Sequence, residues 1–88
     1  MTNEAHQALQ ARHPLPDHLV YGYEIIHSGR LDERGYSATL YAVTVDGRVA
    51  SRKTTNPTTF LHHRARWTEC DSLPEDATFI GNYPNPIA

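Results

Sequence analysis

Cysteine occurs once, at Cys70, in a chain of 88 residues. No internal disulfide is therefore available, which excludes a stapled secreted miniprotein and makes a reducing, cytoplasmic setting the expectation. Long apolar runs are missing too. The longest is Leu40 to Val43, and the amino terminus MTNEAHQALQ has an acid at Glu4 and no apolar segment. Neither secretion nor membrane insertion is expected. The chain contains no GxGxxG, P-loop or GxSxG pattern and no CxxC or HxxxH pair, the signatures of nucleotide binding, serine hydrolysis and structural zinc.

Acids are absent from one stretch. GRVASRKTTNPTTFLHHRARW, residues 47–67, holds five of the eight Lys and Arg side chains and no Asp or Glu. The rest of the chain has three basic and ten acidic residues, a local excess of −7 beneath a formal net charge of only −2. Segregation of this kind concerns surface fields and partners rather than fold.

What is present suits one small domain. A chain this short buries roughly 60–65% of its unfolded surface, too little for a second core. Mean hydropathy is −0.59, with 39% apolar residues, and the apolar residues are clustered as folding requires. Residues 1–88 are read as a single domain, with an N-terminal helix and Pro-rich connection over 1–16, an α+β core over 17–83 and a tail over 84–88.

Asn3 is placed to cap a helix over 4–12 whose narrow apolar stripe is Ala5, Ala8 and Leu9, with Pro14 and Pro16 stopping it. From Leu19 to His27 the pattern alternates, Leu19, Tyr21, Tyr23 and Ile25 against Val20, Gly22, Glu24 and Ile26, which predicts a strand. SGRLDERG, residues 28–35, reads as a solvated connection. Two β-prone runs flank Asp46-Gly47, a hairpin signal because glycine supplies the positive φ of the turn. Asn56 and Pro57 then fit a helix start. A main helix over about 57–70 would align Phe60, His63, Trp67 and Cys70 on one stripe. DSLPED turns the chain, and ATFIGNY reads as a short last strand. The predicted fold is α+β: a small antiparallel sheet of three to four strands, packed by the main helix plus the short N-terminal helix. The amino-terminal part of this order is similar in topology alone to double-stranded-RNA-binding domains. Their helix starts carry lysines for phosphate, whereas TTNPTTFLHH has none.

Catalysis finds little support. His63 and Cys70 on one helical stripe would lie roughly 10 Å apart, too far for thiol activation and too few for a tetrahedral metal site. Adjacent carboxylates at Asp32-Glu33 and Glu75-Asp76 turn apart instead of facing across a bond. No cofactor, metal or enzymatic activity is expected.

Binding is the stronger expectation. Arg48 and Arg52 share a strand face, and two hairpin registers would put that face on different sides of the sheet. A two-residue loop pairs Val45 with Arg48 and sets the arginines among Tyr41, Val43 and Val45. A three-residue loop with a glycine bulge pairs Val43 with Val49 and sets them beside Leu40, Ala42 and Thr44. The second is preferred, because arginines buried among valines would lack partners. An inner face of Leu19, Tyr21, Tyr23, Ile25, Tyr41, Val43, Val45 and Val49 then packs under Phe60, Leu61 and Trp67. The outer face collects Val20, Ile26, Ala38, Leu40, Ala42 and Ala50, edged by Glu24, Arg48 and Arg52.

An apolar centre with a charged rim has the anatomy of a protein interface. The expected function is a small non-catalytic interaction protein of inhibitor or accessory-factor type, as found among mobile-element proteins. It would bind a protein partner or itself through Val20, Glu24, Ile26, Leu40, Ala42, Arg48, Ala50 and Arg52. The N-terminal helix covering that face is the competing expectation. The alternative function is nucleic-acid binding through Arg48, Arg52, Lys53, Arg64 and Arg66.

Overall fold

Alternating apolar residues and a glycine turn build most of the sheet. In a computed structural model, which describes residues 3–27, 37–54 and 66–87, helix α1 (Asn3–Arg12) precedes five strands. These are β1 (Leu19–Ile26), β2 (Ala38–Val43), β3 (Val49–Thr54), β4 (Thr68–Cys70) and β5 (Thr78–Pro84). They form one antiparallel sheet in the order β4-β3-β2-β1-β5.

The hairpin takes the three-residue loop. Val43 pairs with Val49 and Leu40 with Arg52. Thr44 N–H donates to the Arg48 carbonyl at 2.9 Å, and Gly47 closes the turn at φ +95°. Arg48 and Arg52 accordingly share a face with Leu40, Ala42 and Ala50.

The expected main helix is the principal correction. Thr68 to Cys70, its predicted last turn, are a strand paired with Ser51 to Val49; residues 57–65 of that prediction lie outside the described residues. Threonine and cysteine are weak helix formers, and cross-strand pairing outweighs a helical spacing of apolar residues there. The result is a five-stranded sheet with one helix among the described residues, rather than three or four strands packed by two helices. The connection 28–35 also lies outside the described residues.

Both faces of the sheet are buried, by different elements. On the tyrosine face Tyr21, Tyr23, Val43 and Val49 form one cluster, capped by Leu9 of α1, Leu15, Leu73 and Ala77. The helix therefore docks on this face and not over Leu40 and Ala42. On the leucine face Val20, Leu40 and Ala42 are fully buried, with Trp67, Ile80 and Tyr83 against them. Trp67, expected on the tyrosine face, thus packs on the opposite one. Phe60 and Leu61, expected beside it, lie outside the described residues.

Strand β5 joins β1 through a bulge: Gly22 faces Gly81, Tyr23 faces Phe79, and Ile80 is the extra residue. Gly81 sits at φ +142°, where a side chain is strained, and the Tyr83 ring lies 3.6 Å from where its Cβ would be. No described helix is long and apolar enough to cross a membrane.

Candidate interaction surface

The residues predicted to bind a partner separate into a buried centre and an accessible margin. Val20, Leu40, Ala42 and Ala50 have no exposed surface. Glu24 is half-buried, and Ile26, at the end of β1, is 49% exposed. Hairpin geometry brings Arg48 and Arg52 to one side, but each is engaged. Arg48 forms an ion pair with Glu69 and donates to the Ile87 carbonyl at 3.1 Å. The Glu69 hydrogen bond, more than its charge alone, raises the Arg48 pKa. The Arg52 guanidinium lies 5.6 Å from the Trp67 ring centre, a cation–π contact, and burial lowers its pKa. The margin on which a partner was expected is thus occupied by the chain's own groups.

The described members of the predicted phosphate-binding set do not all share one face of the sheet. Lys53 pairs opposite Thr39 on the tyrosine face, Arg66 is exposed, and Arg64 lies outside the described residues. Cys70 Sγ lies 3.1 Å from Ser51 Oγ, and a hydroxyl is not a base that would draw the thiol proton. Among the described residues no three His, Cys, Asp or Glu side chains gather as metal ligands.

What sequence reasoning missed is the start of β5. Phe79 is 42% exposed although it is one of two phenylalanines in the chain. It stands edge-on to Tyr23, ring centres 5.6 Å apart, so one side of the ring packs and the other meets water. Between it and α1 opens a cleft of about 410 Å³, lined by Ala8, Leu9, Tyr23, Ala77 and Phe79 together with Arg12 and Glu75. Phe79 belongs to an edge strand: β5 ends the sheet order, and no described strand pairs with its outer side. The opposite edge, β4, is three residues long and carries Glu69. Shortness and charge both discourage pairing there. Strand β5 has seven residues, Thr78–Pro84, and no charged side chain. Its guards are the bulge at Ile80 and Pro84 at its end. The signal was present in TFIGNYP as a run free of charge, but which side of it faces solvent depends on strand order.

Compared with protein-family models, curated proteins and solved structures, the chain matches none.

Proposed function

We propose that the protein is a small non-catalytic interaction module that takes up an extended segment of a protein partner along the outer edge of β5. The observation that supports this is Phe79, exposed on an uncharged edge strand beside the cleft against α1. An edge strand presents unpaired backbone N–H and C=O groups, and a neighbouring pocket gives a side chain of the added strand somewhere to go. Helix α1 and β5 supply those two parts. This moves the binding surface from the buried outer-face centre to the accessible end of the same sheet, where Ile26 and Glu24 of the original set remain. A reducing cytoplasmic setting, in which Cys70 stays a thiol, is part of the proposal.

Nucleic-acid binding draws less support, because Arg48 and Arg52 are engaged within the chain and Lys53 lies on the opposite face. Titration with mixed-sequence DNA and RNA should give weak binding at physiological salt with a shallow salt slope.

A partner recovered by affinity capture from the organism that encodes the protein, then purified, tests the edge reading by hydrogen exchange. Amides of β5 should gain protection in the complex, and Phe79→Asp should abolish both protection and binding. Should protection fall on β3 and β4 instead, the edge reading is wrong. Light scattering of the chain alone reports the other occupant: a dimer that Phe79→Asp dissociates would mean that a second copy, and not a foreign partner, fills the edge.

A further inference from the structure

Asp46-Gly47 is the one aspartate–glycine step in the chain, and no asparagine–glycine step occurs. Such a step is chemically labile, because a glycine nitrogen has no side chain beside it to hinder its approach to the aspartate carboxyl. Attack of that nitrogen on Cγ forms a C–N bond and breaks a C–O bond. Water leaves, and a five-membered succinimide results. Hydrolysis returns the water at either ring carbonyl and gives aspartate or isoaspartate, so no further reactant is needed.

In the folded chain both reacting groups are tied to one residue. Gly47 N–H donates to the Thr44 carbonyl at 3.1 Å, and the Asp46 carboxylate accepts from the Thr44 hydroxyl. Thr44 is in turn fixed. It is buried, its hydroxyl accepts the Arg48 N–H at 2.9 Å, and its N–H donates to the Arg48 carbonyl at 2.9 Å. Nitrogen and carboxyl therefore cannot turn toward each other until the loop comes off Thr44. Asp46 and Gly47 are themselves exposed, so water has access to the step. The Thr44 hydrogen bond also holds the Asp46 carboxyl below its ordinary pKa, which leaves less of the neutral acid, the form that expels water.

We infer that Asp46-Gly47 is a latent isoaspartate site, kept closed by Thr44 in the folded chain and exposed to reaction when the hairpin turn opens. Openings of that size occur without global unfolding. Isoaspartate would add a methylene to the main chain between Thr44 and Arg48. The turn that pairs Val43 with Val49 would then be one bond too long to close in the same register.

Peptide mapping of the intact chain after warm incubation at mildly acidic pH tests this, with synthetic aspartate and isoaspartate peptides as chromatographic standards. Isoaspartate at Asp46 should accumulate roughly a hundredfold more slowly in the folded chain than in the same chain unfolded in urea, about tenfold for each of the two hydrogen bonds to Thr44. Thr44→Val keeps the carbonyl but not the hydroxyl and should react roughly tenfold faster than the parent. Thr44→Ser, which keeps both, should stay near the parent rate. So should Leu9→Ala, which weakens the fold away from the turn. A parent as fast as the unfolded chain, Thr44→Val no faster than the parent, Thr44→Ser as fast as Thr44→Val, or Leu9→Ala as fast as Thr44→Val would each overturn the inference. If Thr44→Val does not melt cooperatively, the parent serves in its place: in urea below its transition, isomerisation at Asp46 should rise in step with hydrogen exchange at the Gly47 amide, and a rate indifferent to that exchange would overturn it.

Discussion

Thr44 is the residue on which the hairpin turn closes. It is 3% exposed; its hydroxyl accepts the Arg48 N–H at 2.9 Å and donates to the Asp46 carboxylate. Thr44→Val keeps the shape and leaves the Arg48 N–H without that partner, so urea melts should show a loss of about 1–2 kcal/mol. The Thr44 hydrogen bond, ahead of backbone N–H groups and Arg48, holds the Asp46 carboxyl below its ordinary value. A lowered folded pKa gives stability that is present above the unfolded value and lost as pH falls through the folded one. The Asp46 side-chain resonance should accordingly titrate at higher pH in Thr44→Val. Tyr23 has the opposite sign. Burial, with a smaller contribution from Tyr21, pushes it up to about 12. Its stabilising effect is complete below the unfolded value near 10 and is lost as pH rises toward 12. Thermal melts across that alkaline range should fall less steeply for Tyr23→Phe than for the parent.

At the scale of the element, the β5 bulge is the feature most sensitive to one methyl group. Gly81→Ala meets only ordinary contact with Tyr83, at 3.6 Å, but must adopt φ +142°. The cost is backbone strain and not crowding, and a loss of about 1 kcal/mol or more is expected in denaturant melts. Helix α1 depends on docking, since ten residues are too few to hold a helix in water unaided. Its last turn is closed by the His13 N–H on the Leu9 carbonyl at 2.8 Å. Beyond it, the Tyr21 hydroxyl donates to the His13 carbonyl. Leu9→Ala should reduce helical circular dichroism together with thermal stability. If α1 melted separately from the sheet, its docking through Leu9 would not be what holds it.

At the scale of the whole molecule, the described residues make a sheet packed on both sides, and Leu40 lies within the second of these cores with no exposed surface. Leu40→Glu would bury a carboxylate among Val20 and Ala42, so it should destabilise the monomer by a few kcal/mol or prevent folding, as thermal melting will show. An unchanged melting temperature would mean that this face meets water after all. By contrast the Arg48–Glu69 pair is exposed, and Glu69→Gln should leave the melting temperature close to that of the parent, since solvent screens such pairs.

Sequence alone determined what is local. The alternation of Leu19 to Ile26, the glycine-bulged hairpin that pairs Val43 with Val49, the short helix ending before Pro14 and the uncharged strand of TFIGNY all follow from residues within a few positions of one another. Even the company of Arg48 and Arg52 with Leu40 and Ala42 followed from one physical argument, the cost of burying unpaired charge. Tertiary structure decided what each face meets. Thr68 to Cys70 became a strand because Val49 to Ser51 offered an edge nineteen residues away, as Ala50 and Glu69 are paired, and no local periodicity encodes such a pairing. Helix α1 settled on the tyrosine face and Trp67 on the leucine face, so residues read as an exposed interface became core. Phe79 is exposed because β5 lies at the end of the sheet order, and strand order is set by the competition of all strands for partners, which a single segment's sequence does not contain.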